Sequence, residues 1–489
     1  MKKTWHKVFT VCIFLCVAVS LYMRGLLLHM PFEYDELFTA VSTDPFLPFS
    51  WIYTHYLLVD VHPPLYNLLL WNWNQIFPYG PEIWLRLPSL LMGVAALVLA
   101  WADFPKCFGK TARILFFAFI ACHLHAIAYA QHARAYALVL LLAIACTFSF
   151  IKLFRRTAKG LGAPAKQWIS FSVLSLFLCW SHYFGSLLAF LLNGFLLTKA
   201  LRTKTNRKQA LLSSVFVLLG FLPWLIPNIA AQLSLSRFSG NWWANEVGQW
   251  ILVPSTLIYF LSTNWMGSIL LGLLILWTGI KIWPAFRKTK CLPYGREMGV
   301  LATVYLVAVA VITLISLKTF LFMPRYFIAY LPCAYLALSL FLAPVLRKSV
   351  VGKILFVLFL LLNLILFWIG HRELRFTPKI PTRIVAQLYK DFHPQKEMFV
   401  IAVEGFPTQA MPAMYGFYLN RVFLTNTPVT ELFSLDPETL NEVLKRKEKA
   451  FIWMPNCTQE KLLKVSQKWG RSLGIYGKIG NTCVLKIGD

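Results

Sequence analysis

Runs of about 20 apolar residues, separated by short polar stretches, recur along residues 8–370. That is the length an α-helix needs to cross the hydrocarbon core of a bilayer. Runs such as 138–150 do not alternate apolar with polar side chains, so a membrane β-barrel, built from alternating segments of about ten residues, is excluded. The pattern predicts eleven spans. The first covers about 8–28 and the second 83–104. The third ends near 131 and the fourth near 152. The fifth is short, at 168–180, and the sixth returns to a basic stretch at Lys199. The seventh ends around 223–227, the eighth covers 264–283 and the ninth leads to Lys318. The tenth ends at Arg347 and the eleventh covers 354–370.

Two polar segments interrupt the spans at greater length. The first, 31–82, carries Trp51, Tyr53, Tyr56, Trp71, Trp73 and Trp84, rings that favour the headgroup layer. Within it, 45–58 and 64–77 are expected to lie along the membrane surface as amphipathic helices. The second, 229–262, holds Arg237, Trp242, Trp243 and Glu246. From 371 the pattern changes. Strand-like runs at 398–403, 451–454 and 482–486 alternate with helix-like runs at 381–392, 437–448 and 460–470. Such alternation predicts a small α/β domain. The expected organisation is a membrane module, 1–370, followed by a soluble domain, 371–489.

Composition agrees with the membrane reading. Of 489 residues, 58% are hydrophobic and only 14% charged, where a soluble protein carries roughly 25% charged; the mean hydropathy is +0.62. The net charge of +27 would suggest nucleic acid in a soluble chain. Here Lys and Arg gather in short loops between spans, so they report orientation rather than a nucleic-acid partner. Lys2, Lys3 and Lys7 place the N-terminus in the cytoplasm. An odd number of spans then places the C-terminal domain outside. The N-terminus looks like a signal peptide but lacks a small-residue cleavage site, so the first helix is read as retained. Ten cysteines include no CxxC pair; Cys457 and Cys483 could pair in an oxidising compartment. The tail has no glycine-rich phosphate loop, and no internal repeat stands out.

Candidate chemistry lies where the chain leaves the bilayer on the outer side. Glu33, Asp35 and Glu36 follow the first span directly. Carboxylates beside a bilayer are functional candidates, and a carboxylate suits general-base work on a hydroxyl. Three acids also suit a solvated helix start. Asp60 and His62 follow, the latter before Pro63-Pro64, a rigid helix start where an anion would bind readily. Arg86 opens the second span, Arg134 and Tyr136 the fourth, and Arg325 and Tyr326 the tenth; His182 and Tyr183 join the fifth and sixth. Arginine on the outer side runs against the orientation bias, and its planar fork matches phosphate oxygens; interfacial snorkelling is the plainer reading. His123 and His125 are expected to pack inside the third span.

In order, Tyr-Asp-Glu at 34–36, His-Pro-Pro-Leu-Tyr at 62–66, Arg-Leu-Pro-Ser at 86–89, Ala-Gln-His-Ala-Arg-Ala-Tyr-Ala-Leu at 130–138, His-Tyr at 182–183 and Pro-Arg-Tyr at 324–326 resemble GT-C-type glycosyltransferases. The bacterial branch of aminoarabinose transferases and protein O-mannosyltransferases is the nearest in motif order. The likeness spans about 8–345. It implies a polytopic α-helical membrane protein of about eleven spans with a small extracytoplasmic domain, in the bacterial inner membrane. It implies inverting transfer of a sugar from a polyprenyl-phosphate donor to a lipid, glycan or protein acceptor outside. Asp35, as general base, and Glu36 would be catalytic, with Asp60 or Glu33 as the candidate second carboxylate. His62, Arg86, Arg134, Tyr136, His182, Tyr183, Arg325 and Tyr326 would hold donor phosphate and substrate. His62 stands where the aminoarabinose branch has lysine, and His132 where relatives usually have glutamate. No cofactor is expected: a divalent metal on Glu33, Asp35 and Glu36 is conceivable, but arginines can replace it. The rival reading is a transporter or flippase of a lipid-linked sugar. Transporters often show paired halves, and none stands out here.

Overall fold

The computed structural model describes residues 2–77, 82–236, 261–262, 264–289, 291–316 and 324–376, then five strands between 397 and 487 and scattered positions of 459–467. The helices are α1 (Lys2–Met23), α2 (Tyr34–Val41), α3 (Phe49–Ile52) running into a π-helical turn (Tyr53–Leu57), α4 (Leu65–Asn74), α5 (Glu82–Ala102), α6 (Gly109–Cys122) and α7 (Leu124–Ala128). They continue as α8 (Tyr136–Ala158), α9 (Ala165–Ser181), α10 (Tyr183–Thr203), α11 (Arg207–Ser236), α12 (Trp265–Thr289), α13 (Gly295–Ser316), α14 (Leu331–Leu346) and α15 (Val350–Phe376). Among the described residues, eight helical segments are long and apolar enough to cross a membrane, and α6 with α7 makes a ninth if that bent pair is one span. The protein is a multi-span membrane protein. Lys7–Met23 of α1 is a shorter apolar helix, and α9 has 17 residues.

α8 and the segment ending in α14 are the most enclosed spans, 78% and 72% buried, against 17% for α12. The first two form the centre of the bundle and α12 its rim. α8 packs on α5, α9 and α10, and α14 packs on α6 and α13. Helices without a hydrophobic drive to associate in lipid rely on close packing and interhelical hydrogen bonds. Both occur here. Ser172, Ser213, Asn193 and Ser175 link α9, α10 and α11 in one buried chain of hydrogen bonds.

The expected third span is broken. α6 and α7 meet at 62° at His123, which therefore sits at a bend rather than inside a continuous helix. No proline or glycine marks the place. Side chains take up the freed backbone groups instead: His123 Nδ1 accepts from Ala126 N–H at 3.3 Å, and Arg24 Nη2 donates to Ala121 O at 2.9 Å. Backbone breaks at membrane depth survive only when such partners exist. α1 correspondingly stops at Met23, short of the expected 28, because Arg24 turns inward and is 1% exposed. A Cβ on Gly93 would lie 2.7 Å from the Cβ of Ala130, so a small residue lets α5 approach the segment just before His132 and Arg134.

α11 runs to Ser236, into the stretch expected to be loop. Arg237, Trp242, Trp243 and Glu246, like Lys318, lie outside the described residues. In the tail, β1 (Glu397–Ile401), β2 (Val429–Leu432), β3 (Ala450–Met454), β4 (Leu473–Ile479) and β5 (Thr482–Ile487) form one sheet in the order β2-β1-β3-β5-β4. β1 is parallel to β2 and β3, whereas β5 runs antiparallel to β3 and β4. Three strands match the expected strand-like runs; β2 and β4 were not expected. The helix-like runs 381–392 and 437–448, most of 460–470, and Cys457 lie outside the described residues.

Candidate active site

α2 separates its acids by rotation. Glu33 caps it, and Glu36 closes a capping box by accepting from Glu33 N–H at 3.0 Å, which satisfies helix-start donors. Successive residues of a helix point about 100° apart, so Glu36 and Asp35 face different surroundings. Glu36 is fully buried. Arg86 grips it from α5: Nε donates to Oε1 at 2.7 Å and Nη2 to Oε2 at 2.5 Å. Ala133 N–H donates to Oε1 at 2.8 Å. Burial pushes the Glu36 carboxyl up, but His132 and the Arg86 fork outweigh it and hold it down at about 2. Arg86 also donates to the carbonyls of Leu27, Leu28, Met30 and Pro31. It thus fastens the turn after α1, the start of α2 and α5 to one another.

Asp35 is the partly exposed acid of the two. Its Oδ2 accepts from Arg325 Nη1 at 2.7 Å, and both side chains are about one-third exposed, 34% and 30%. Burial raises its carboxyl, but Arg134, Arg325, His62 and His132 together hold it below the usual aspartate range. Arg134 is 7% exposed. It donates to Thr39 Oγ1 at 3.0 Å and lies 3.2 Å from His62 Nδ1. That same Nδ1 is 3.0 Å from Asp60 Oδ1. A ring nitrogen can accept from the arginine or donate to the aspartate, but not both at once. Burial pulls the Arg134 guanidinium down, and Asp35 and Asp60 more than restore it.

His182 caps α10: its Nδ1 accepts from Phe184 N–H at 3.2 Å, so Nε2 carries the hydrogen. Burial, then His62, Arg134 and Arg325, hold its proton affinity well below the ordinary imidazole value. Its ring lies 5.1 Å from His62, 5.5 Å from Tyr326 and 5.7 Å from Tyr136, centre to centre. Tyr326 stacks on Phe184. Tyr183 instead turns away and donates to Asn228 Oδ1 on α11. Among the described residues, four buried polar atoms of this cluster have no hydrogen-bond partner: Tyr136 Oη, His182 Nε2, Arg325 Nε and His132 Nδ1. A buried unpaired polar atom costs about 1–3 kcal/mol, so four in one cluster suit a polar ligand. Two must donate and a tyrosine can, a set that favours an anion.

The site residues singled out in the sequence, Tyr183 excepted, thus come to one region. Asp35, Asp60, His62, Arg134, Tyr136, His182, Arg325 and Tyr326 meet around the unpartnered atoms. Glu36 and Arg86 lie behind them as a tie, and Glu33 stands at the rim with 51% exposure, 3.2 Å from His132 Nε2. Sequence reasoning missed Thr39 and Asn228 and undervalued His132. Among the described residues, no three His, Cys, Asp or Glu side chains are grouped to hold a metal ion.

No family model and no curated protein sequence matches the chain. Solved structures do. ArnT, the aminoarabinose transferase of Cupriavidus metallidurans, bound to undecaprenyl phosphate, superposes with a TM-score of 0.61 at 12% identity, covering 97% of each chain. Its apo state gives 0.58 at 13% identity, again over 97% of both. The chain therefore has the fold of ArnT. The archaeal oligosaccharyltransferase AglB of Archaeoglobus fulgidus gives 0.47 at 13% identity, over 96% of this chain and 71% of that one, too weak a likeness to bear on the fold. Asp35, which follows α1, and the Arg325 guanidinium, which precedes α14, are 290 residues apart in sequence and in contact in space.

Proposed function

We propose that this chain transfers a sugar from a polyprenyl-phosphate carrier to an acceptor hydroxyl at the extracytoplasmic face, with inversion at the anomeric carbon. The carrying observation is Asp35 beside Arg325 at the edge of a cluster of unpartnered polar atoms. A polyprenyl carrier cannot leave the membrane, so its phosphate must be met at the bilayer surface. Undecaprenyl phosphate, bound by ArnT, is a carrier of this class. Arg325, Arg134, His182 and Tyr136 supply donors for the phosphate, whose charge grows as the glycosidic bond breaks.

The acceptor oxygen attacks the anomeric carbon while Asp35 takes its proton. The carbon–oxygen bond to phosphate breaks, and its electron pair leaves with the polyprenyl phosphate. Asp35, one-third exposed, then returns the proton to water. Glu36 and Arg86 hold the frame on which Asp35 sits and touch no substrate in this reading. His62 and Asp60 flank Arg134, and Glu33 with His132 borders the acceptor side. In this reading guanidinium groups carry the phosphate charge, since Glu36 is engaged by Arg86 and two backbone N–H groups and Arg325 and Arg134 lie beside Asp35.

In the same reading α1 and α9, though short, also cross, giving eleven spans with the N-terminus in the cytoplasm. The strands after 397 then belong to a soluble α/β domain outside. Mass comparison of surface glycolipids and glycoproteins from cells with and without this protein tests the function. An added glycosyl mass only in cells that contain it is expected; identical profiles would remove the proposal.

A further inference from the structure

The loop that delivers Asp60 and His62 has three consecutive backbone carbonyls, at Leu58, Val59 and Asp60, held from a distant helix. Asn228 Nδ2 donates to Leu58 O at 2.8 Å and to Asp60 O at 2.9 Å. Gln232 Nε2 donates to Val59 O at 2.6 Å. Residues four apart share one helix face, so the two amides grip the loop side by side. The other end of the Asn228 amide is also used, since Oδ1 accepts from the Tyr183 hydroxyl. With donors on one side and an acceptor on the other, the amide has one orientation. Asn228 is 1% exposed. It touches none of the unpartnered atoms of the cluster and stands behind them.

Tyr183 is the neighbour of His182, and His62 lies two residues beyond Asp60. One carboxamide therefore ties the backbone of the His62 loop to the side chain of the residue next to His182, and the two imidazoles face each other 5.1 Å apart. We propose that Asn228, assisted by Gln232, is a positioning residue that sets His62 against His182 and Arg134. This rests on the glycosyltransferase reading for its effect on catalysis, though not for its effect on the loop. Neither α4 nor the π-helical turn before the loop accounts for these carbonyls. Without the amide, the His62 loop would keep its anchor at Pro64 but lose the one facing His182.

Asn228→Asp is the decisive variant. It keeps an oxygen for Tyr183 and sets a second oxygen against two carbonyls. In the full-length protein in lipid nanodiscs, amide hydrogen exchange over 57–63 should accelerate at least about 10-fold, while exchange in α8 stays unchanged. Misplacement by about 1 Å can cost on the order of 100-fold in rate, so transfer from undecaprenyl-phosphate sugar should fall roughly 10- to 100-fold. Groups acting as a unit are non-additive: Asn228→Asp in a His62→Ala background should cost less than about threefold more. Wild-type exchange over 57–63 in Asn228→Asp would overturn the proposal, as would losses that multiply in the double variant. If the wild type shows no transfer at all, the functional reading falls, and the exchange result alone still decides whether Asn228 holds the loop.

Discussion

Asp35 Oδ2 and Arg325 Nη1 are 2.7 Å apart, although 290 residues separate them in the chain. The pair joins the first polar segment to the turn that leads into α14. It keeps Asp35 ionised, as a base must be, and also occupies it. A donor phosphate that draws Arg325 toward itself would return Asp35 to the acceptor.

This arrangement fixes the sign of a pH dependence. The Asp35 carboxyl is held below its usual value of 3.8, so the base form is kept above that depressed value and lost as pH falls through it. The acid limb of kcat/KM should therefore lie below the ordinary aspartate range. Arg325→Gln removes one of the causes, so the limb should move to higher pH while KM for the lipid donor rises. A limb that stays in place in Arg325→Gln would separate Asp35 from the titrating group.

Glu36 should behave as a structural acid. Its carboxyl sits at about 2 against an ordinary 4.5, so it adds stability above 4.5 that is lost as pH falls toward 2. By linkage that stability is on the order of 3 kcal/mol. Arg86→Met leaves a buried charge unpaired and should cost about 3–5 kcal/mol. Thermal unfolding in detergent from pH 7 to pH 3 checks both. The fall in Tm should be steep in wild type and shallow in Glu36→Gln.

Tyr136→Phe should split stability from binding. The Tyr136 hydroxyl has no partner among the described residues, so deleting it should leave Tm unchanged or raise it. If the hydroxyl donates to phosphate, affinity for undecaprenyl phosphate should fall roughly 10-fold, the worth of one hydrogen bond to a charged group. Native mass spectrometry of the lipid complex reads the affinity. A drop in Tm with unchanged affinity would make Tyr136 a packing residue.

Transfer should also persist in excess EDTA, because Asp35 and Glu36 are both committed to arginines. Loss of activity on chelation and its recovery with a divalent cation would reassign the phosphate contact to a metal.

The bundle was legible because span length and basic loops are local signals, and they survive low sequence likeness. The gathering of polar clusters between spans was legible for the same reason. What could not be read was which acid faces which way. Asp35 and Glu36 are neighbours of equal chemistry, and only the turn of α2 sends one to Arg86 and the other to Arg325. The break at His123 was hidden because Arg24, which satisfies the freed carbonyl of Ala121, lies 97 residues away in the chain. Asn228 was passed over inside an apolar helix. Its signal was present, in that Asn228 and Gln232 place two amides four residues apart after Pro227.

The central claim is that Asp35 takes the acceptor proton during sugar transfer. Asp35→Asn keeps the shape of the side chain and removes the base. Cells carrying that variant, inserted and folded at wild-type level, should lack the added glycosyl mass on surface lipids or proteins and accumulate the polyprenyl-phosphate sugar. A wild-type glycosyl product in Asp35→Asn cells would contradict the account.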